Sequence, residues 1–583
     1  MSLTARTAVT RRLTVGAGTG PLHRTAADVP GPLLDALGHR RPENLPARTT
    51  LYVGGFPAPR QPVKDHRAMP VRIAATPAEV LLLAHEDLQA ERADLAMVAT
   101  LDQPTAGGVT VQVLRRAAEA VAEGDTILGL LEFADLRDDQ PVLRPLRHGH
   151  TVPDTEGHRL LIWSGRDEPD ESRVRGELRA LLDRISPEGF ASLPTAVPFG
   201  HAFGPVRATA VTTARQATAE VAAAEPVTTS HPRPVALLLP GQGSQHAAMA
   251  AGLYRRDPVF TASVDAVLDL MGADGPAIRA DWLSERPVID IDDVRRAQPL
   301  LFAVDYALAR MVLSWGVRPA ALLGHSAGEL VAATLAGVVS LPDAVGMMRE
   351  RVVHAVEIPA GGMLAVAASE RTLLPYLHGD VAVAAVNAAQ QTMLAGSTEP
   401  LAEVAARLRA DGHTVVAVPA TSPFHSPAMA PASDGVEVAY RKVKFSDPEV
   451  PFYSGYTGEL MTTAEALSPR YWARQITDTV YFAPALEQLL AADDMLLIEA
   501  GPRQTLTAFA RRHRAVRLGA SSVVPLLPAK PAGPEQDRRA VLNAAAAIWR
   551  EGHDLDQDAL ARLWTWQADA PADARPLAAV AGP

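Results

Sequence analysis

The sequence of 583 residues contains no cysteine, which excludes disulfides, cysteine-ligated zinc sites and a thiol nucleophile. It also has no excess of positive charge, because 55 basic residues face 66 acidic ones and the formal net charge is -11. Nucleic acid is therefore not expected as the main partner. No apolar run approaches the length of a membrane span, and the amino-terminal MSLTARTAVTRRLTVG lacks the apolar core of a signal peptide. We expect a cytoplasmic protein without membrane contact.

The length is too great for one hydrophobic core and predicts about three or four domains. In the first part of the chain, the predicted strands and helices are separated by loops. Strands are predicted at residues 48–55, 109–114, 160–164 and 203–211, and helices at 115–123 and 170–185, with linkers at 151–158 and 213–234.

Two short continuous apolar runs mark the next region. Residues 235–239 end in the glycine turn PGQGSQ (240–245), and residues 320–323 end in GHSAG (324–328). Buried parallel strands have this character, and a helical pattern follows each turn. The repeat of strand, glycine turn and helix predicts an α/β fold with a parallel sheet.

Residues 362–425 follow a different order of elements, β-α-β-β-α-β, which predicts a small ferredoxin-like unit. Its insertion within the α/β domain leaves a cleft at the junction. After about residue 520 the chain is rich in proline and alanine, with one amphipathic helix near 537–551.

Ser326 is the candidate nucleophile, because Gly324 and Gly328 give it the form of a nucleophile elbow. Small residues are needed there because strand and helix approach closely, and the turn lifts the serine Oγ out of the sheet. The amide of Ala327 then points at a developing oxyanion. A chance G-x-S-x-G is the alternative, which the preceding strand and the following helix disfavour.

The turn PGQGSQ (240–245) offers backbone amides for a second oxyanion donor. It is otherwise a plain strand-to-helix turn, and the phosphate-loop lysine is missing. His425, in SPFHSP (422–427), is the candidate base, since it follows the last strand of the small unit and lies at the predicted cleft. A loop histidine without a function is the alternative.

These motifs together resemble the malonyl-coenzyme A:acyl carrier protein transacylase family, in particular the acyltransferase domains of modular polyketide synthases. The resemblance runs from about residue 235 to 516. It covers, in the family's order, PGQGSQ (240–245), GHSAGE (324–329), Arg351, PFHSP (423–427), YWARQ (471–475) and EAGP (499–502).

The resemblance implies a role for each matching position. Ser326 and His425 form the catalytic dyad, and a backbone carbonyl that maps to Gln475 orients the histidine. The amides of Gln242 and Ala327 form the oxyanion hole. Arg351 grips the free carboxylate of a malonyl-type unit, which suits its planar bidentate fork. Arg349 and a solvated Arg351 are the alternatives at that position.

The four residues ending in His425 depart from the family. Malonyl-type enzymes have HAFH there and methylmalonyl-type enzymes have YASH, whereas this chain has SPFH (422–425). Phe424 matches the bulky malonyl-type residue and would crowd an α-methyl group, but Ser422 fits neither pattern. Phe424 therefore predicts a preference for malonyl, but the four residues do not decide which extender unit is used.

The flanking regions resemble other parts of these synthases. Residues 155–230 are similar to the linker between ketosynthase and acyltransferase, and residues 521–583 to the linker after the acyltransferase. Residues 1–150 are interpreted as a degenerate ketosynthase remnant whose role could be docking, since without cysteine the condensation reaction is impossible.

The overall expectation is an α/β protein. It joins a hydrolase-like acyltransferase domain (231–520), a ferredoxin-like insertion (362–425), a small α/β linker domain and the partial ketosynthase-like region. The large subdomain comprises residues 231–361 and 426–520.

The resemblance implies a trans-acting acyltransferase of polyketide biosynthesis. Acyl-coenzyme A is the donor, a phosphopantetheine thiol on a separate acyl carrier protein is the acceptor, and no cofactor or metal is bound. The carrier motif AspSerLeu does not occur in the sequence. Carrier-to-carrier transfer, an editing acyl hydrolase and a non-enzymatic docking scaffold are the alternatives. We expect a monomer, because an intact ketosynthase normally dimerises and residues 1–150 are interpreted as only a remnant of one.

Overall fold

The structure is a computed structural model. It describes seven strands between residues 7 and 145, Ala84, Leu88, and residues 157–560 except 186, 188–189, 191–192, 194–202, 230, 419 and 557–558. By their contacts the described residues form two units, one up to Thr228 and one from Thr229 onwards. No helix in these described parts is long and apolar enough to cross a membrane.

The amino-terminal strands form one mixed sheet in the order β3-β2-β4-β5-β1-β6-β7, in which β3, β2 and β4 are parallel. Its strands are β1 Thr7–Val15, β2 Thr49–Gly54, β3 Val71–Ala74, β4 Leu95–Leu101, β5 Val109–Arg116, β6 Gly129–Glu132 and β7 Val142–Pro145. Strands β2 and β5 confirm two predicted strands. The helix predicted at 115–123 is wrong at its start, where Arg115 and Arg116 continue β5, and its remainder lies outside the described residues.

The rest of the first unit is a three-stranded antiparallel sheet, ordered β10-β9-β8, with a helix packed on it. The elements are β8 Arg159–Gly165, α1 Glu168–Leu182, β9 Val206–Thr212, α2 Ala217–Ala223 and β10 Val227–Thr228. Trp163 in β8 lies in the core beside Leu178 of α1, and its indole N–H donates to Glu171 at 2.7 Å. The hydrogen bond satisfies a donor that burial would otherwise leave unpaired.

The second unit contains two sheets. Its strands are β11 Val235–Leu239, β12 Pro319–Gly324, β13 Gly361–Val366, β14 Ala382–Ala388, β15 Gln391–Ser397, β16 Val415–Val418, β17 Phe452–Tyr453, β18 Leu496–Glu499 and β19 Ser522–Pro525. Five of them form a parallel sheet in the order β17-β12-β11-β18-β19. All residues of β11 are buried, and so are the last four residues of β12, as the two continuous apolar runs predicted. All residues of β18 are buried too.

Helices pack against both sheets of the second unit. They are α3 Pro258–Leu270, α4 Gly275–Leu283, α5 Val294–Ser314, α6 Gly328–Leu335, α7 Leu341–Val356, α8 Glu370–Leu373, α9 Thr398–Ala410, α10 Ala430–Tyr440, α11 Thr463–Ala466, α12 Pro469–Arg474, α13 Phe482–Ala492, α14 Thr505–Ala510, α15 Arg514–Arg517 and α16 Pro534–Arg550. Helix α6 begins directly after the turn that holds Ser326. The α/β class with a parallel sheet is thereby confirmed.

The second sheet of this unit is antiparallel, with the order β14-β15-β13-β16, and α8 and α9 belong to it. The element order β-α-β-β-α-β is the one predicted for a ferredoxin-like insertion. The helix predicted near residues 370–377 is shorter: α8 ends at Leu373 and a 3-10 turn, Leu374–Tyr376, follows. Pro375 lies in that turn, and its missing N–H cannot continue an α-helix.

Gly328 shows why the turn around Ser326 needs small residues. A Cβ built on Gly328 would collide with the carbonyl oxygens of Leu239 and Pro240, at the end of β11. Backbone atoms of a central strand cannot move aside at low cost. The close packing of α6 on β11 therefore depends on glycine at this position.

We predict that Gly328→Ala lowers the free energy of unfolding by about 1–3 kcal/mol, the usual cost of overpacking, and thereby lowers the melting temperature. Gly346→Ala is the matched control, because Gly346 lies in α7 and an added Cβ meets nothing within 4 Å. The control should gain about 0.5–1 kcal/mol from helix propensity. Thermal unfolding of both variants measures the difference, and equal melting temperatures would contradict the packing argument.

Candidate active site

Ser326 lies at a sharp turn between β12 and α6. Its φ of 52° is in the left-handed region, which non-glycine residues rarely occupy. The turn is fixed on both sides, because His325 N donates to the Leu239 carbonyl at 2.9 Å and Gly328 N donates to the His325 carbonyl at 3.0 Å. Strained backbone at a fixed turn is a frequent property of reactive side chains.

His425 is brought to Ser326 from 99 residues further along the chain. The Ser326 Oγ and the His425 Nε2 are 2.7 Å apart, which is hydrogen-bond distance. His425 also has a left-handed backbone, with φ 65°, and its amide donates to the Ile476 carbonyl at 2.8 Å. The side chain is 3% exposed. The junction of the two sheets thus holds the pair that the motifs predicted to meet there.

The other ring nitrogen of His425 corrects one sequence assignment. Nδ1 lies 2.9 Å from the carbonyl oxygen of Asp478, not of Gln475, although the Gln475 carbonyl contributes weakly to the pKa of His425. The reason is the turn after α12, where the amides of Thr477 and Asp478 both donate to Arg474 and the chain folds back toward the histidine. Nδ1 therefore carries the proton and Nε2 accepts one from Ser326.

Burial lowers the pKa of His425 to about 3, against the opposing effect of the Asp478 carbonyl, and the charges of His325 and Arg351 lower it further. Desolvation disfavours the imidazolium because its charge loses contact with water. His425 is therefore neutral at physiological pH, which is the form that can take a proton from a serine.

Two backbone amides border the Ser326 side chain without a protein acceptor. Among the described residues, neither the Gln242 amide nor the Ala327 amide donates to another group. A Cβ on Gly241 would collide with the His325 carbonyl and would lie 3.0 Å from the Ser326 Cβ and 3.3 Å from the Ala327 amide. Glycine at 241 thus lets the two turns meet, and the free amides are suited to hold an oxyanion.

Arg351 is 3% exposed on α7, whereas Arg349, the alternative at this position, is exposed. Among the described residues no salt bridge joins Arg351 to a carboxylate, and its buried Nε has no acceptor. The Tyr456 hydroxyl is the side-chain group that interacts with the guanidinium. The Arg351 charge nevertheless affects His425 and Glu329. A buried guanidinium normally has a partner, so this arrangement favours an anionic ligand.

Ser422 and Phe424 are both buried in the turn before His425. The ring centroids of Phe424 and His425 are 6.4 Å apart, so the phenyl ring flanks the histidine. Pro423 packs against Gly361 at the start of β13, where a Cβ would lie 2.7 Å from the proline Cβ. This packing anchors the turn to the antiparallel sheet.

Glu329 is a buried group to which sequence reasoning assigned no role. Its carboxyl oxygens accept hydrogen bonds from the Tyr471 hydroxyl at 2.7 Å, the Ser454 hydroxyl at 3.0 Å, the Gly455 amide at 2.9 Å and the Gln475 amide group at 3.1 Å. Burial raises the pKa of Glu329 to about 8, although these donors and Arg351 oppose the rise. The only sequence signal was its place in GHSAGE, since the partners are more than 120 residues away.

His325 and Asn387 were also missed. The His325 Nε2 lies 2.8 Å from the Asn387 Oδ1, which belongs to β14, and the histidine ring contacts Phe482. The pair joins the turn before Ser326 to the antiparallel sheet. Among the described residues no group of three His, Asp or Glu side chains is placed to hold a metal ion.

A family model for the acyl transferase domain matches residues 237–541, which is more than half of the chain. The chain belongs to this acyl transferase family. A phenolphthiocerol/phthiocerol polyketide synthase protein from Mycobacterium tuberculosis is 35% identical over 325 residues, which are 55% of this chain and 22% of that protein. Polyketide synthase GfsA from Streptomyces halstedii is 34% identical over 343 residues, 56% of this chain and 4% of GfsA.

Solved acyltransferase domains have the same fold. The acyl transferase domain of SpnD, in complex with 2-(pent-4-yn-1-yl)malonyl, is 27% identical with a TM-score of 0.60, over 70% of this chain and 98% of that one. The acyltransferase domain from the second module of the salinomycin polyketide synthase is 30% identical with a TM-score of 0.53. The match covers 69% of this chain and 85% of that one. The matched region is therefore an acyl transferase domain similar to those of polyketide synthases. The chain spans about a fifth of the length of the mycobacterial synthase protein.

The environment of His425 predicts the pH dependence of serine acylation. A group whose folded pKa is lowered from 6.5 to about 3 stays neutral well below pH 6. We expect kcat/KM for acylation of Ser326 to stay level between about pH 5 and 7.5 and to fall only below about pH 4. Rapid-quench acylation across this range measures it, and an inflection near 6.5 would show that the histidine is solvated.

Proposed function

We propose that this acyltransferase takes a malonyl-type unit from coenzyme A onto Ser326 and transfers it to the phosphopantetheine thiol of an acyl carrier protein. The observation that carries the proposal is the unpaired, buried Arg351 beside the Ser326–His425 pair. An active site of this family without a carboxylated substrate has no need for a buried, unpartnered cation.

The first half-reaction forms an acyl-serine ester. Ser326 Oγ attacks the thioester carbonyl while His425 Nε2 takes its proton, and the amides of Gln242 and Ala327 hold the oxyanion. The carbon–sulfur bond then breaks, and the imidazolium returns the proton to the departing coenzyme A sulfur. The Asp478 carbonyl, 2.9 Å from Nδ1, stabilises the imidazolium and fixes the ring.

The second half-reaction runs the same steps in reverse order. His425 takes the proton of the carrier thiol, the sulfur attacks the ester carbonyl, and the proton returns to Ser326 Oγ as the serine leaves. Water must stay out for transfer to exceed hydrolysis, which the burial of His425 supports.

Arg351 supplies the preference for a carboxylated unit. A guanidinium and a carboxylate form a bidentate, charge-assisted pair that is stronger than a neutral hydrogen bond. Because Arg351 already lies buried without a partner, the substrate carboxylate meets a desolvated cation. An editing hydrolase for simple acyl chains would gain nothing from this group.

The remaining regions are assigned by proposal too. Residues 155–230 act as the linker before the acyltransferase domain, 231–520, and residues 521–583 as the one after it. The match to the acyl transferase domain of SpnD covers 70% of the chain, which is a larger share than residues 231–520 make up. This coverage supports the assignment of the flanking residues as linkers. Residues 1–150 are proposed as a ketosynthase-like docking region for the carrier, in a monomeric, cytoplasmic enzyme.

The position of the acyl group is the first test. Incubation with malonyl-coenzyme A should add one malonyl mass to a peptide containing Ser326, and Ser326→Ala should abolish the addition. Ser340→Ala is a control, because Ser340 caps helix α7 and lies outside the site. Peptide mass spectrometry reads the result, and labelling that survives in Ser326→Ala would refute the assignment.

The choice of acyl unit is the second test. Arg351→Ala should reduce malonyl loading by about a hundredfold or more, because its loss leaves a buried carboxylate unpaired. Loading of acetyl should change little or improve. Competition between malonyl-, methylmalonyl- and acetyl-coenzyme A measures this, with exposed Arg349→Ala as the matched control. One α-methyl is worth only about 1–3 kcal/mol, so malonyl over methylmalonyl is expected as a preference.

The malonyl proposal fails if the wild type prefers acetyl or a longer simple acyl chain, or if Arg351→Ala loads malonyl normally. Transfer or hydrolysis of another acyl group would then explain the site better.

A further inference from the structure

Tyr456 lies in the loop after β17 and is held there by the Glu329 hydrogen bonds. Its amide donates to the Ser454 Oγ at 2.9 Å, and the same hydroxyl donates to Glu329 at 3.0 Å. The neighbouring Gly455 amide donates to the other Glu329 oxygen at 2.9 Å. The backbone of Tyr456 is therefore fixed relative to α6, the helix that follows Ser326.

The Tyr456 ring faces the candidate active site. The centroids of the Tyr456 and His425 rings are 6.0 Å apart, and the angle between the ring planes is 42°. The Tyr471 ring contacts Tyr456 edge-on, with a centroid distance of 6.5 Å. The Tyr456 ring is partly exposed, but the hydroxyl oxygen is buried and has no hydrogen-bond partner among the described residues. A buried tyrosine hydroxyl normally finds a partner, so this one is a donor without an acceptor.

The groups around this hydroxyl define what it can bind. Burial raises the pKa of Tyr456 well above its usual value, while the Arg351 charge and side-chain interactions of the hydroxyl with Ser326 and Arg351 lower it. The phenol is thus protonated at neutral pH, with the serine and the arginine as neighbours. An acyl unit that is bonded to Ser326 and paired with Arg351 through its far end must pass beside it.

We propose that Tyr456 is a specificity-determining residue whose hydroxyl donates a hydrogen bond to the free carboxylate of the acyl unit, beside Arg351. This rests on the proposed function. A carboxylate has lone pairs for both groups and would satisfy two buried donors, the Arg351 Nε and the Tyr456 hydroxyl, that lack acceptors. An acetyl unit offers no acceptor at that place.

A different role for the same hydroxyl would be donation to the Ser326 Oγ. That role would affect every acyl donor equally, because it acts on the attacking atom. Donation to the carboxylate affects malonyl and spares acetyl, so the ratio of the two rates separates the roles.

The test is a double-mutant cycle of Tyr456→Phe and Arg351→Ala, in which Tyr456→Phe leaves the ring in place and removes only its hydroxyl. The measured quantity is kcat/KM for serine acylation by malonyl-coenzyme A, divided by that for acetyl-coenzyme A. Tyr456→Phe should lower this ratio about 10- to 100-fold, as expected for a hydrogen bond to a charged group. In the Arg351→Ala background the same change should alter the ratio by less than about threefold, because the carboxylate is no longer held.

Tyr376→Phe is the matched control, since the Tyr376 hydroxyl bonds to Asp411 in the antiparallel-sheet region. Its ratio should equal that of the wild type. An unchanged ratio in Tyr456→Phe overturns the inference, and so does an equal loss with both substrates, which would assign the hydroxyl to Ser326. A wild type that loads acetyl in preference to malonyl would refute the proposed function and this inference together.

Discussion

The arrangement of the site depends on the hydrogen bonds that the buried Glu329 carboxyl group accepts. This group lies in the first turn of α6, directly behind the turn of Ser326, and it receives hydrogen bonds from two other segments. One segment carries Tyr456. The other, which includes Gln475, continues to Asp478, whose carbonyl orients His425. One buried carboxyl group thereby sets the positions of three segments that are far apart in the chain, because no water can replace its donors.

A second constraint is the insertion of the antiparallel sheet into the parallel-sheet domain. His425 follows β16 and Asn387 lies in β14, so that sheet supplies both groups that contact the turn around Ser326. Burial at this junction lowers the pKa of His425 and keeps it neutral. In the proposed reaction this desolvation keeps His425 ready to act as a base and also protects the acyl-serine ester from water.

The same burial has a cost at Arg351 and Tyr456, which keep donors without acceptors. Each such group costs about 1–3 kcal/mol of folding free energy. Functional sites commonly retain such groups because a ligand satisfies them on binding. Under the proposed function these preorganised donors need no rearrangement when a carboxylated acyl unit binds, so the free energy that they cost the free protein contributes to selectivity for that unit.

The sequence by itself determined the local features of this protein. Continuous apolar runs before glycine turns identified the parallel strands, and the alternation of short elements identified the ferredoxin-like insertion. Glycines at 324 and 328 identified the turn of Ser326, because only backbone without Cβ packs so closely. The predicted cleft made His425 a candidate base, and the family resemblance made Arg351 a candidate for binding a carboxylate.

Only the tertiary structure decided which distant groups meet. Every residue carries a backbone carbonyl, so composition could not tell that Asp478, three residues past Gln475, accepts from His425. Arg351 and Arg349 are equivalent in a helical pattern, and burial on one face of α7 separates them. Glu329 and Tyr456 act through contacts that join segments more than a hundred residues apart. Such contacts leave no local pattern, because the chain brings their atoms together only when the whole domain packs.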